Sequence, residues 1–244
     1  MAVRIWSKKH SARLKNAKTI FFDVGGTLVY GSVGHIDRLY DALGHLGYIG
    51  TREDVVRAND RARRAVARHR RRRAAGLDPT DASRMWLDHL ADELGLGVGG
   101  AVLERELAYA VARTQTDSEA ELDPEALPLL ERLQQRDFRL GVISNWSADL
   151  PDYLEELGLA HCFEVVIASE AVGAQKPHRE IFLRALAATK CPPRRAVHVG
   201  DDYWADVVGA RSIGIHPVLI DRHRETADPD CTTITRLRDL EPLL

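Results

Sequence analysis

Three apolar runs in this 244-residue sequence end abruptly on a polar side chain. Thr19–Phe22 stops at Asp23, Leu140–Ile143 stops at Ser144, and Ala196–Val199 stops, after Gly200, at Asp201. A fourth group, Lys176, follows the strand-like stretch Glu164–Ala168 and a loop containing Gly173, and Pro177 then opens a helical pattern. Each residue alone has an ordinary explanation. Ser144 or Thr27 could be a turn or capping residue, Lys176 a solvated lysine, and Asp201, Asp202 and Asp206 helix N-terminal caps. Together they supply one carboxylate nucleophile, one hydroxyl, one lysine and an acidic cluster. Those are the parts of a phosphoryl-transfer centre: lysine and hydroxyl hold phosphate oxygens, and acids on a Mg²⁺ neutralise charge.

Such groups converge only if the apolar runs are strands of one sheet. Lys18–Val24, Phe138–Ile143, Phe163–Ala168, Arg195–Val199 and Pro217–Ile220 have the β-branched and aromatic bias of buried strands. Between them lie helical patterns at Pro124–Arg136, Ala148–Leu157, Arg179–Thr189 and Ala205–Ser212. Pro124 and Pro151 suit first-turn positions, and Gly158 suits a helix stop. Short apolar strands alternating with helices predict an α/β fold, a Rossmann-like parallel sheet covered on both faces. In such a sheet ligands bind beyond the carboxyl ends of the strands, where Asp23, Ser144 and Asp201 fall.

Residues 34–116 break that rhythm. Helical stretches near Ile36–Leu46, Arg52–Ala75, Asp81–Leu94 and Ala101–Thr114 are separated by glycine- or proline-containing joints, with no convincing strand. The expected organisation is a basic tail (1–17), a core built from 18–33 and 117–244, and an inserted all-helical cap domain (34–116) hinged at Gly31/Gly34 and near Asp117–Glu121.

Composition bounds the rest. Hydrophobic residues make up 45% and charged residues 29%, a globular balance. No apolar run reaches the roughly 18–20 residues that span a bilayer, and the start lacks a secretory signal pattern. Cys162, Cys191 and Cys231 are odd in number and widely spaced, so they read as reduced thiols of a cytoplasmic protein. The net charge of −2 hides an asymmetry: residues 1–75 carry 17 Lys/Arg against 6 Asp/Glu. The basic part includes an acid-free tail up to Lys18 and the run Arg70–Arg73. With no aromatic residues interleaved, it reads as a solvated helix face and tail rather than a nucleic-acid surface.

Four segments carry a resemblance to the haloacid dehalogenase (HAD) superfamily. Phe21-Phe22-Asp23-Val24-Gly25-Gly26-Thr27-Leu28 is similar to its first motif, Asp-x-Asp-Gly-Thr-Leu, and Val142-Ile143-Ser144-Asn145 to its second. Gly173-Ala174-Gln175-Lys176-Pro177 resembles the third, and Val199-Gly200-Asp201-Asp202-Tyr203-Trp204-Ala205-Asp206 the fourth. Each is weak alone; all four in order are specific. The insertion site matches members with a helical cap of the C1 type. The resemblance implies that Asp23 attacks phosphorus to form an aspartyl-phosphate, while Thr27, Ser144 and Asn145 meet the phosphate. It implies that Lys176 offsets charge, and that Mg²⁺ is held by Asp23, the Gly25 carbonyl, Asp201 and Asp206, with Asp202 an alternate.

One position departs from the pattern. Where phosphatases of the superfamily carry a second Asp as general acid/base, this chain has Gly25. Such a group contributes roughly 10²–10⁴-fold, so phosphomonoester turnover should be weak or atypical. Four readings follow: a Mg²⁺-dependent hydrolase of a small phosphorylated or otherwise anionic metabolite with a good leaving group, or with an acid from elsewhere such as His35; a haloacid dehalogenase; a phosphonatase; or a non-catalytic protein that binds Mg²⁺ and an anion. The retained Gly200-Asp201 counts against the second. The third needs a cap lysine, and none lies between Lys18 and Lys176. The first is the expected reading, the last its alternative.

Overall fold

The segment Thr19-Ile-Phe-Phe22 is apolar on both faces, and a strand of that kind must lie inside a sheet with both faces covered. In the computed structural model, which describes residues 14–30, 35–72, 79–107, 121–224, 226 and 230–244, it is β1 (Thr19–Phe22), buried throughout. β1 pairs in parallel with β4 (Arg139–Ser144) on one side and β6 (Ala196–Gly200) on the other. β4 pairs with β5 (Val165–Ala168), β6 with β7 (His216–Ile220), and β7 with β8 (Thr232–Ile234), all in parallel. The order β5-β4-β1-β6-β7-β8 is that of a doubly wound sheet. The chain runs outward from β1 to β5, then returns to β6 and runs the other way. That reversal opens a crevice beside the carboxyl end of β1.

All five expected strands form, each shifted by a residue or two. β8 was not foreseen, because Thr-Thr-Ile is too short to give a pattern. Neither was the small ribbon of β2 (Val29–Tyr30) and β3 (Glu121–Leu122), which pair antiparallel.

The flanking helices follow their apolar spacing. Helix α5 (Ala126–Gln135) buries Ala126, Leu129, Leu130 and Leu133, an i, i+3, i+4, i+7 stripe, and α7 (Arg179–Ala188) buries Ile181, Phe182, Ala185 and Leu186, two adjacent pairs one turn apart on the same face. The α7 stripe packs with Phe21, Ile143 and Ala196 from three adjacent strands. Helix α6 (Leu150–Glu156) carries Pro151 in its first turn and is closed by Gly158 at φ 70°, as its sequence predicts. Pro124 instead lies just outside α5, whose N-cap is Glu125. The helix expected from Ala205 begins earlier, as a π-helical segment Tyr203–Val208 that runs into Gly209–Ser212.

Residues 31–120, with 225–227, form a second compact unit, and the remainder forms the first. The β2–β3 ribbon belongs to the sheet unit. Among its described residues the second unit is helical: α1 (His35–His45), α2 (Arg52–Arg72), α3 (Pro79–Leu94) and α4 (residues 100–107). Ile36, Leu39, Leu43, Val55, Ala62, Val66, Leu87 and Leu90 are buried, and buried Trp86 donates its indole N–H to Asn59 Oδ1 at 2.9 Å. Arg61, Arg64 and Arg68 are exposed along α2. The tail (1–13), the side chains of Arg70–Arg73 and of His35, and the expected hinges apart from Glu121 lie outside the described residues. No helix among the described residues is long and apolar enough to cross a membrane, and the three cysteines are free and buried.

Candidate active site

Asp23 follows β1 with its backbone still in the ladder, its N–H donating to the Val199 carbonyl at 2.9 Å. The chain then turns sharply, and the Val24 carbonyl accepts from the N–H groups of Thr27, Leu28 and Val29. Gly26, at φ 72°, makes that turn possible, and a Cβ there would fall 2.2 Å from Asp201 Oδ2. The loop after β1 and the end of β6 approach this closely only because residue 26 lacks a side chain. Gly200 has the same function at β6, where a Cβ would fall 2.1 Å from Asp206 Cγ.

Ser144, last residue of β4, donates its hydroxyl to Asp23 Oδ1 at 2.8 Å. The Lys176 ammonium lies 2.7 Å from the same oxygen and 2.6 Å from Asp206 Oδ1. Lys176 is held there through its backbone: its N–H donates to Asn145 Oδ1 at 2.6 Å, and Asn145 Nδ2 donates to its carbonyl at 3.0 Å. A cis peptide joins Lys176 to Pro177. The side chain of Asn145, expected at the phosphate, therefore acts as a clamp on Lys176.

Asp206 projects from the π-helical segment with both oxygens engaged. Oδ1 receives Lys176 and, at 2.8 Å, His198 Nε2; Oδ2 receives the Asp202 N–H at 3.0 Å. Asp202, considered as an alternate metal ligand, caps the segment, its Oδ1 accepting the N–H groups of Trp204 and Ala205. Asp23, Asp201 and Asp206 each present a carboxylate oxygen, all within 4.8 Å of one another.

Electrostatics couple these groups. Burial pushes the Asp23 carboxyl above the usual range; the Lys176 ammonium pulls it back, and the Asp206 carboxylate adds to the rise. Burial also opposes ionisation of Asp206, but Lys176 and the His198 hydrogen bond outweigh it and leave that carboxyl below its ordinary value. For Lys176 the burial penalty is overcome by Asp206 and Asp23, which hold the ammonium charged. Two carboxylates thus share one ammonium, leaving a negative balance suited to a cation.

Thr27 is fully buried; its hydroxyl has no hydrogen-bond partner, and its carbonyl accepts from Arg222 Nη2 at 2.8 Å. Gly25 has ordinary backbone, and a Cβ there would come no nearer than 3.8 Å to another group, Cζ3 of Trp146.

Sequence reading missed three neighbours. His198 is a buried imidazole in an apolar strand directly before Val199-Gly200-Asp201, which is a signal in itself. Trp146 follows Ser144-Asn145 but shows its relation to Gly25 only in three dimensions. Arg222, which also meets Asp123 Oδ2 at 2.5 Å, had no readable signal.

A family model described as haloacid dehalogenase-like hydrolase matches residues 17–214. Over 99 residues the chain is 41% identical to "Haloacid dehalogenase-like hydrolase domain-containing protein 3" of Xenopus laevis, covering 41% of either chain. Over 137 residues it is 37% identical to a phosphoserine phosphatase of Thermus thermophilus, covering 56% of this chain and 54% of that one. The matched region thus spans about half or less of these two relatives. Among solved structures, a HAD phosphatase of Thermococcus onnurineus superposes with a TM-score of 0.55 at 23% identity, over 93% of this chain and 97% of that one.

Proposed function

This chain belongs to the haloacid dehalogenase-like hydrolase family, and on that premise we propose that it hydrolyses a small phosphorylated metabolite by phosphoryl transfer to Asp23. The observation that carries the reading is the Asp23 carboxylate, whose Oδ1 accepts from Ser144 at 2.8 Å and lies 2.7 Å from the Lys176 ammonium. These two contacts orient the carboxylate and leave Oδ2 as the attacking oxygen. The Ser144 hydroxyl and Lys176 ammonium are already in place to receive phosphoryl oxygens, and preorganised donors of this kind supply much of the stabilisation in phosphoryl transfer. The buried Thr27 hydroxyl is a further donor of the same loop.

The oxygen donors of Asp23, Asp201 and Asp206 fit a hard divalent ion, and the glycines at 26 and 200 are what allow them to gather. We assign the Mg²⁺ site to Asp23, Asp201 and the Gly25 carbonyl, with Asp206 behind them holding Lys176. When bound, the ion neutralises charge on the transferring group. Residues 31–120 are read as a cap domain, and the protein as cytoplasmic.

Gly25 supplies no proton to a leaving group, which restricts the reaction to esters or anhydrides whose leaving group needs none. The same observation favours the second reading, a non-catalytic Mg²⁺- and anion-binding protein. Incubation with acetyl phosphate and Mg²⁺ separates the two. Turnover that is abolished in Asp23→Asn, with a hydroxylamine-labile phosphoprotein trapped by acid from the wild type, is expected. Wild-type turnover equal to that of Asp23→Asn removes Asp23 from the mechanism.

A further inference from the structure

Gly25 differs from its neighbours Gly26 and Gly200. At those two positions a Cβ would collide with Asp201 or Asp206, so glycine is obligatory. At Gly25 the backbone is ordinary, and a Cβ would meet only the six-membered ring of Trp146, at van der Waals distance. The space that a side chain at position 25 would fill is therefore bordered by an indole.

That indole is held in place. The Trp146 carbonyl accepts the Glu170 N–H at 3.2 Å and the Ser169 hydroxyl at 3.1 Å, fixing the backbone to the short helix Ser169–Val172 that follows β5. Its ring stacks on Tyr153 of α6 with centroids 5.0 Å apart and planes at 21°, while Trp146 itself stays half-buried. Gly25 and Trp146 each lie two residues beyond one member of the touching pair Asp23 and Ser144. The Trp146 ring thus borders the position two residues beyond Asp23.

Resting on the phosphoryl-transfer reading above, we infer that this site selects an aryl phosphate, whose planar leaving group lies against Trp146 in the space left by Gly25. Two independent features favour the same chemistry. A fixed, half-buried aromatic platform favours a planar π-system over an alkyl chain. A position without a proton donor favours a leaving group that departs as a stabilised anion, and a phenolate spreads its charge over the ring. In the first step Asp23 Oδ2 bonds to phosphorus as the P–O(aryl) bond breaks and its electron pair leaves on the phenolate oxygen. In the second, water attacks the aspartyl-phosphate and the bond from phosphorus to Asp23 breaks. Orthophosphate is released, the carboxylate returns, and the proton from water neutralises the phenolate in solution.

The test uses the full chain with Mg²⁺ and two unreactive probes, phenylphosphonate and methylphosphonate, followed by calorimetry in wild type, Trp146→Ala and Trp146→Phe. Wild type is expected to prefer the phenyl probe by about five- to tenfold, the range of an aromatic pair. Trp146→Ala should erase the preference and Trp146→Phe keep most of it, with thermal melting showing both variants folded. In turnover, the ratio of kcat/KM for phenyl phosphate to that for acetyl phosphate should fall by a similar factor in Trp146→Ala. Equal affinity of wild type for the two phosphonates overturns the inference, as does a preference that survives Trp146→Ala. Loss of acetyl phosphate turnover in the wild type would instead remove the phosphoryl-transfer reading, and the phosphonate comparison would still decide the role of Trp146.

Discussion

The Lys176 ammonium lies 2.7 Å from Asp23 Oδ1 with 2% of its side chain exposed, and it is also the counter-charge of Asp206. Breaking a buried ion pair by deleting one partner costs about 3–5 kcal/mol, because the other charge stays buried without compensation. Here two carboxylates would be left. Lys176→Met should therefore lose stability of that order at pH 7, read by denaturant unfolding. It should also lose at least about 10²-fold in kcat for acetyl phosphate, as a charge-stabilising donor would. Activity near the wild-type level in Lys176→Met would show that the ammonium is structural only.

Mg²⁺ binding should depend on Asp201 and on pH. Calorimetry of Asp201→Asn is expected to show clearly weakened affinity for the ion, and unchanged affinity would reduce the Gly200-Asp201 segment to a helix start. Burial raises the Asp23 carboxyl above its ordinary range, so protons compete with the metal as the pH falls through that raised value. Affinity should be highest when Asp23 is ionised and decline on acidification. Asp23→Asn should flatten that decline.

Gly25→Asp and Gly26→Ala should behave oppositely despite being adjacent. At position 25 the backbone accepts a side chain with 3.8 Å to Trp146, so the Asp variant should fold. It should then raise hydrolysis of an alkyl phosphate, by up to about 10²-fold, as a new general acid/base. A nitrophenyl ester should gain less in the first step, since its leaving group hardly needs a proton. At position 26 a positive φ and a clash at 2.2 Å with Asp201 predict a destabilised Gly26→Ala that also binds Mg²⁺ poorly. A folded, Mg²⁺-binding Gly25→Asp with no gain on any phosphate ester would favour the non-catalytic reading.

The basic helix α2 should tolerate loss of charge. Arg64 and Arg68 are exposed, and surface substitutions of this kind shift stability by about 0.5 kcal/mol or less. Arg64→Gln and Arg68→Gln, together, should leave the melting transition nearly unchanged. A large drop would assign these arginines a structural role in the helical unit.

By itself the sequence determined five of the strands and the residues at their ends. Apolar runs of β-branched and aromatic type are local signals, and a buried strand that stops on Asp or Ser must place that side chain at the end of the sheet. Hence Asp23, Ser144 and Asp201 were legible in the sequence; Lys176 stood out only by its place in the loop after Glu164–Ala168, and Gly25 as a departure from the motif that the chain resembles. The tertiary structure decided what each side chain touches, since Ser144 meets Asp23 across 121 positions of sequence. It gave Asn145 a clamp function, made Asp202 a cap, and tied Asp206 to both Lys176 and His198. It also set the Trp146 ring beside Gly25 and paired β2 with β3. The physical reason is one of range: periodicity and strand ends follow from neighbours a few residues apart. Contacts between strand ends follow from the order of strands in the sheet, which no local pattern specifies.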